Sequence, residues 1–282
     1  MADTNDIPQQ SISSSHKERY SGGYGSLIIQ GLSARKATRE AAFFMPHLRS
    51  GMTLLDCGCG PGSMTVDFAE VVAPGEVVGI DIEASQFEVG KALSLEKKLK
   101  NVRFEVGNIY ELPFPDGSFD AVFVHAVLYH LTAPHKALAE VHRLLKSGGV
   151  LGVRDSDQGG DIFTPSNPTL DQAWTLINRV FKHNGSNPFL GRNHRALLRE
   201  AGFVHIKASA SFDYYGTPDI TLRVGEFWAD LILQSHFADA IVEQGWATQA
   251  ELENMSAAFK VWGEHPDAFF ARARCEAVGW KE

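Results

Sequence analysis

The residues with the most chemistry in them lie in one short run, Asp56-Cys57-Gly58-Cys59-Gly60-Pro61-Gly62, and at Asp81, Asn108, His125 and His130 downstream. Glycines alternating at 58, 60 and 62 let a backbone turn tightly and come close to a ligand. Asp81, in Val78-Gly79-Ile80-Asp81, can accept hydrogen bonds from both hydroxyls of a ribose. Gly62 is followed by Ser63, so the dinucleotide pattern G-x-G-x-x-G fails at its last glycine. Asp56 before the turn would repel a pyrophosphate. It suits a ligand with an ammonium group and a sulfonium centre. In Leu128-Tyr129-His130-Leu131, His130 has the proton affinity of a base working near neutrality. It is expected to line a reaction centre, as a base or as a residue packed on the ligand. His125, earlier in the same segment, reads as structural. Cys57 and Cys59 lack further Cys or His in register, so no metal is expected there.

These residues need elements to hold them. Apolar runs alternate with helical spacing from residue 53 onward. TLLDCG, EVVGID, NVRFEVGN, FDAVFVHAV and GGVLGVRDS read as strands, with MTVDFAEVV, EASQFEVGKALSLEKKL and HKALAEVHRLL as helices between them. That alternation predicts βαβ units in a parallel sheet with helices on both faces. Further on, LDQAWTLINRVFKH and NHRALLREA read as helices, FVHIKASASF and DAFFARARCEAVGW as strands, and 156–168 as a long connection. The spacing predicts one helix over 33–48 and a largely helical stretch over 218–264. The expected organisation is a tail and helical flap over 1–49, a ligand-binding core over 50–155, and over 156–282 the rest of the sheet with a helical lid insertion.

Tyr20 and Tyr24 are interleaved with Gly22, Gly23 and Gly25, as suits a flap whose ring faces would favour a sulfonium. An ordinary turn is the rival reading. Phe212, Tyr214, Tyr215, Phe227, Trp228 and His236 could cover a planar substrate or simply fill a core. Asp155 could meet a polar substrate group or sit in a solvated turn.

Composition excludes other classes. The net charge is −8, with a sequence pI near 5.8, so the bulk positive field used to grip nucleic acid is missing. No apolar stretch approaches the roughly 20 residues needed to span a bilayer, so no membrane insertion is expected. The polar N-terminus reads as no secretory signal, and three cysteines form no disulfide framework; both point to a cytoplasmic protein.

Taken together, these motifs resemble the class I S-adenosylmethionine-dependent methyltransferases. Their first motif, (D/E)xGxGxG, matches Asp56, Gly58, Gly60 and Gly62, and their second-strand acid matches Asp81. Gly107-Asn108-Ile109-Tyr110-Glu111-Leu112-Pro113-Phe114 is similar to their GDAxxLPF segment. Phe119-Asp120-Ala121-Val122 is similar to the start of their fourth strand, and Leu144-Leu145-Lys146-Ser147-Gly148-Gly149 to their LKPGG turn. The ubiquinone/menaquinone-biosynthesis branch is the nearest in pattern. The resemblance covers residues 50–155 or so.

It implies a Rossmann-like α/β fold with a seven-stranded, mostly parallel sheet. It also implies S-adenosylmethionine as methyl donor, S-adenosylhomocysteine as product, and a small, aromatic or apolar acceptor methylated at C, O or N. Asp56 and the loop would contact the methionine part, Asp81 the ribose, and Asn108 and Ile109 the adenine, with Tyr24 closing over the methionine end. Asn108 departs from the family's Asp, though its carbonyl oxygen can still accept from an adenine amino group. An NAD-dependent oxidoreductase and a non-catalytic S-adenosylmethionine-binding regulator are the rivals. The N-terminus and the helical insertion could serve a contact between copies of the chain.

Overall fold

The computed structural model describes residues 26–233 and 235–282. Eight strands form one sheet: β1 (Leu54–Cys57), β2 (Val77–Asp81), β3 (Val102–Val106), β4 (Phe119–His125), β5 (Leu145–Ser156), β6 (Ile162–Thr164), β7 (Val204–Tyr215) and β8 (Phe269–Trp280). The order is β3-β2-β1-β4-β5-β8, with the first five of these strands, β3 to β5, parallel to one another. β8 runs antiparallel to β5, and β7 antiparallel to β8. The seven expected strands are present. The eighth, β6, continues the β5 edge along the first residues of β8, where Ile162 pairs with Ala271. Its three residues, caught between Gly160 and Pro165, are too short for any periodicity to signal.

Strand alternation sends successive side chains to opposite faces. Leu55, Val78 and Val122 enter a core with Leu138, Val141, Leu144 and Leu198, which lie on α5 (Pro134–Leu144) and α7 (His194–Glu200). Leu54, Val77, Ala121 and Phe123 enter the opposite core with Phe44, Met64 and Phe68. There the Phe123 ring stacks on Phe44 at 5.3 Å and meets Phe68 edge-on at 5.1 Å. Helices α3 (Ser63–Val72) and α4 (Glu88–Glu96) cross between the first three strands.

The single helix expected over 33–48 is broken. It becomes α1 (Ser26–Ser33), α2 (Ala37–Glu40) and a short turn at Met45–His47. Lys36 takes an extended conformation before α2, and Pro46 has no N–H to continue a helix.

The helical expectation over 218–264 resolves into α8 (Pro218–Leu233), α9 (Ser235–Glu243) and α10 (Gln249–Gly263). With α6 (Pro168–His183) they enclose a third core around Trp228, Phe259, Trp262 and Phe270. α8 and α10 touch through glycines. A Cβ at Gly225 would sit 2.6 Å from the Phe259 carbonyl oxygen and 2.9 Å from the Gly263 Cα.

Candidate active site

β1 lies between β2 and β4, so the connections leave it toward opposite sides of the sheet. A crevice opens at such a switch point, outside the carboxyl ends of the strands. Here it is a cleft of about 1100 Å³ including its open mouth. One end is lined by Gly58, Cys59, Gly60, Asp81, Gln86, Asn108 and Ile109, the other by Leu32, Arg35, His125, His130 and Leu131.

The glycine loop owes its shape to three left-handed residues, with φ of +75° at Gly58, +51° at Gly60 and +79° at Gly62. Two also admit neighbours that a side chain would displace. A Cβ would fall 2.2 Å from Val127 Cγ2 at Gly58 and 2.4 Å from the Phe104 ring at Gly62. At Gly60 the space is open, so only its conformation demands glycine. The Gly60 N–H donates to Asp81 Oδ2 at 2.9 Å, and the Glu83 N–H donates to Oδ1 at 3.1 Å. Burial raises the Asp81 carboxyl pKa, against the pull of these backbone hydrogen bonds. The acid and the loop thus brace each other across 21 residues of sequence.

Asp56 differs from its expected placing. It is buried under the loop and is not among the residues lining the cleft; Thr65 Oγ1 donates to its Oδ2 at 2.6 Å. Burial raises its pKa to about 7, opposed by the Thr65 bond and aided by the nearby Asp81 charge. Cys57 and Cys59 are buried, and burial pushes both thiols well up. Asn108 lines the cleft, but its Oδ1 already accepts from the Tyr110 N–H at 3.1 Å, which leaves one lone pair for a ligand. Ile109 presents an apolar wall beside it.

His130 lines the cleft as expected, but its environment argues against a base. Burial, with the Arg35 charge, lowers its pKa to about 3, so it binds protons weakly near neutrality. Its ring stacks on Phe181 of α6 at 5.7 Å, tying this side of the cleft to the helical core. Tyr20 and Tyr24 lie outside the described residues, as does the side chain of His236. The other aromatic candidates do not line this cleft. Trp228 is buried in the helical core with Phe227 packed against it, and Tyr215 stacks on Phe270 at 5.6 Å. Phe212 and Tyr214 project from β7 into solvent. Asp155 is neither solvated nor on the cleft; it is fully buried, 2.9 Å from His194 Nε2.

Two cleft residues carried no signal in sequence. Arg35 comes from the segment between α1 and α2. Gln86 is buried on the cleft wall with no partner for its Nε2. His125, which reads from sequence as structural, also lines the cleft. A tight glycine cradle, a braced acid beside it and a spare amide donor fit a ligand with hydroxyls and a polar, partly cationic chain.

Comparison with known proteins agrees. A family profile described as a methyltransferase domain matches residues 48–202. A probable methyltransferase, ltbC of Aspergillus luteorubrus, is 32% identical and spans 95% of this chain and 99% of its own length. The chain belongs to the S-adenosylmethionine-dependent methyltransferases. This methyltransferase is also similar to a demethylmenaquinone methyltransferase of Lactococcus lactis, 32% identical over 72% of this chain and 75% of the relative. In fold it matches the YcgJ protein of Bacillus subtilis at a TM-score of 0.59 and 20% identity, over 87% of this chain and 99% of that one. The family settles the rivalry in favour of an enzyme using S-adenosylmethionine and against an NAD-dependent oxidoreductase. Among the described residues no helix is long and apolar enough to cross a membrane.

Proposed function

We propose that this methyltransferase acts on a small, largely apolar metabolite bearing a ring or an enol. The observation that carries this reading is one continuous cleft with the glycine loop and Asp81 at one end and Leu32, His125, His130 and Leu131 at the other. S-adenosylmethionine supplies an electrophilic methyl on a cationic sulfur and leaves as S-adenosylhomocysteine.

The chain's residues divide the remaining work. The backbone at Gly58, Gly60 and Gly62 leaves room for the methionine chain. Asp81 accepts from the ribose hydroxyls, and Asn108 and Ile109 flank the adenine. Asp56, buried outside the cleft lining with a carboxyl pKa of about 7, adds a negative field toward the cationic end as it ionises. His130 lines the acceptor end and excludes water without taking a proton. The acceptor is therefore one that reaches the site already deprotonated or loses its proton to solvent. In-line displacement then depends on holding it about 3–3.5 Å from the methyl carbon. The similarity to a demethylmenaquinone methyltransferase favours a quinol or phenol over an amine.

The test is transfer of radiolabelled methyl from S-adenosylmethionine to a panel of quinols, phenols and primary amines, read as labelled product and S-adenosylhomocysteine released. Transfer to quinols or phenols is expected. Transfer to amines alone, or to no small molecule, would overturn the reading.

A further inference from the structure

At the acceptor end, His125 is held by a guanidinium with no hydrogen to spare. Arg154, buried on β5, pairs in register with His125 of β4 on one side and Glu276 of β8 on the other. Its Nη1 donates to Glu40 Oε2 at 2.6 Å and lies 3.1 Å from His125 Nε2. Its Nη2 donates to Asp213 Oδ1 at 2.7 Å and to Ser211 Oγ at 3.4 Å, and its Nε donates to Glu276 Oε1 at 3.2 Å. All five guanidinium hydrogens are thereby assigned. The acids are fixed in turn: Arg274 Nε donates to Asp213 Oδ2 at 2.6 Å, and Ser209 and Ser211 donate to the two oxygens of Glu276.

An arginine can only donate, so His125 Nε2 must accept, and a neutral ring then carries its hydrogen on Nδ1. Burial and the charges of Arg35, Arg154, Arg274 and Arg39 lower the His125 pKa well below its usual range, which keeps the ring neutral. The ring lines the cleft, yet Nδ1 is buried with no hydrogen-bond partner. A buried donor left unpaired is costly, so this position favours a ligand that brings an acceptor.

Resting on the function proposed above, we infer that His125 anchors the methyl acceptor by donating its Nδ1 hydrogen to a substrate oxygen, with Arg154 as the positioning residue that fixes the tautomer. An oxygen has two lone pairs, so it can take this hydrogen while the ring or enol that bears it stays nucleophilic. An amine nitrogen has one pair, which the methyl needs. The site therefore selects phenols, enols and their quinol relatives over amines.

Two measurements test this. Long-range nitrogen–proton correlation spectra of the histidines, assigned through His125→Asn, should show His125 protonated on Nδ1; an Nε2-protonated or doubly protonated ring would overturn the assignment. Binding of 4-nitrophenol and of nitrobenzene to the protein saturated with S-adenosylhomocysteine gives the second readout. The wild type should prefer the phenol at least 10-fold. His125→Leu should erase that preference, and His125→Asn, which keeps an acceptor and a donor, should restore part of it, with S-adenosylhomocysteine affinity unchanged within about 2-fold. No preference in the wild type, or full preference in His125→Leu, would overturn the inference. These readouts need no turnover. A failure of the proposed function would appear instead as no methylated quinol or phenol, so the two failures are separable.

Discussion

The two ends of the cleft are built by opposite means. At the Asp81 end the parts are close in sequence and the shape is set by backbone: glycines at positive φ, N–H groups on one carboxylate, and a strand-to-helix turn. At the His125 end the parts come from α2, β4, β5, β7 and β8, and the shape is set by side chains in a buried charge array. On the proposed reading, cofactor grip and acceptor choice therefore rest on separate interactions. The first is local and common to the fold; the second needs the whole sheet to be assembled.

That separation can be broken first at Arg154. Arg154→Met takes one cation from each of Glu40, Asp213 and Glu276; Arg39 and Arg274 still pair the first two, but Glu276 is left buried with serine hydroxyls alone, which should cost about 3–5 kcal/mol of stability in chemical denaturation. S-adenosylhomocysteine affinity of the folded protein should hold. A matching loss of that affinity would show that the two ends are coupled after all.

A next effect belongs to Asp56. Its carboxyl has a pKa of about 7 in the fold, against 3.8 as the ordinary value. Between those values the folded protein keeps a proton that the unfolded chain releases, so stability falls as pH rises from about 4 to about 7, by on the order of 2–4 kcal/mol. Thermal unfolding of the ligand-free protein across that range checks the slope, and Asp56→Asn should flatten it.

Asp81→Ala sharpens the comparison from the other side. It should weaken S-adenosylhomocysteine by about 1.5–3 kcal/mol, roughly 10- to 100-fold by calorimetry, with the phenol preference retained. Tyr214→Ser should do least. The ring is 75% exposed on β7, so stability should stay within about 0.5 kcal/mol and activity unchanged.

The local end was readable from sequence for a physical reason. A tight turn admits few residue types, so glycines at 58, 60 and 62 and an acid at the end of the next strand stand out in the chain. The depth of Asp56 was not readable, because the spacing that marks the motif does not say which way the side chain turns. At the His125 end the histidines stood out, but their partners did not. His125, Arg154, Asp213 and Glu276 lie on four strands far apart in sequence, and each alone looks like an ordinary polar residue in an alternating pattern. The aromatics from Phe212 to Trp228 left the choice open, since their apolar surface suits a lid over a substrate and a core between helices equally well. Here Trp228 and Tyr215 chose the core.

By itself, then, the sequence determined the strand alternation, the glycine turn, the acid that braces it and the class of cofactor, because backbone conformation and side-chain period are local constraints. Only the tertiary structure decided that Asp56 is buried outside the cleft lining, that His130 is buried with its pKa lowered, and that His125 lines the cleft with Arg154 against its Nε2. Burial, desolvation and the in-register meeting of distant strands create those properties, and none of them exists until the sheet has formed.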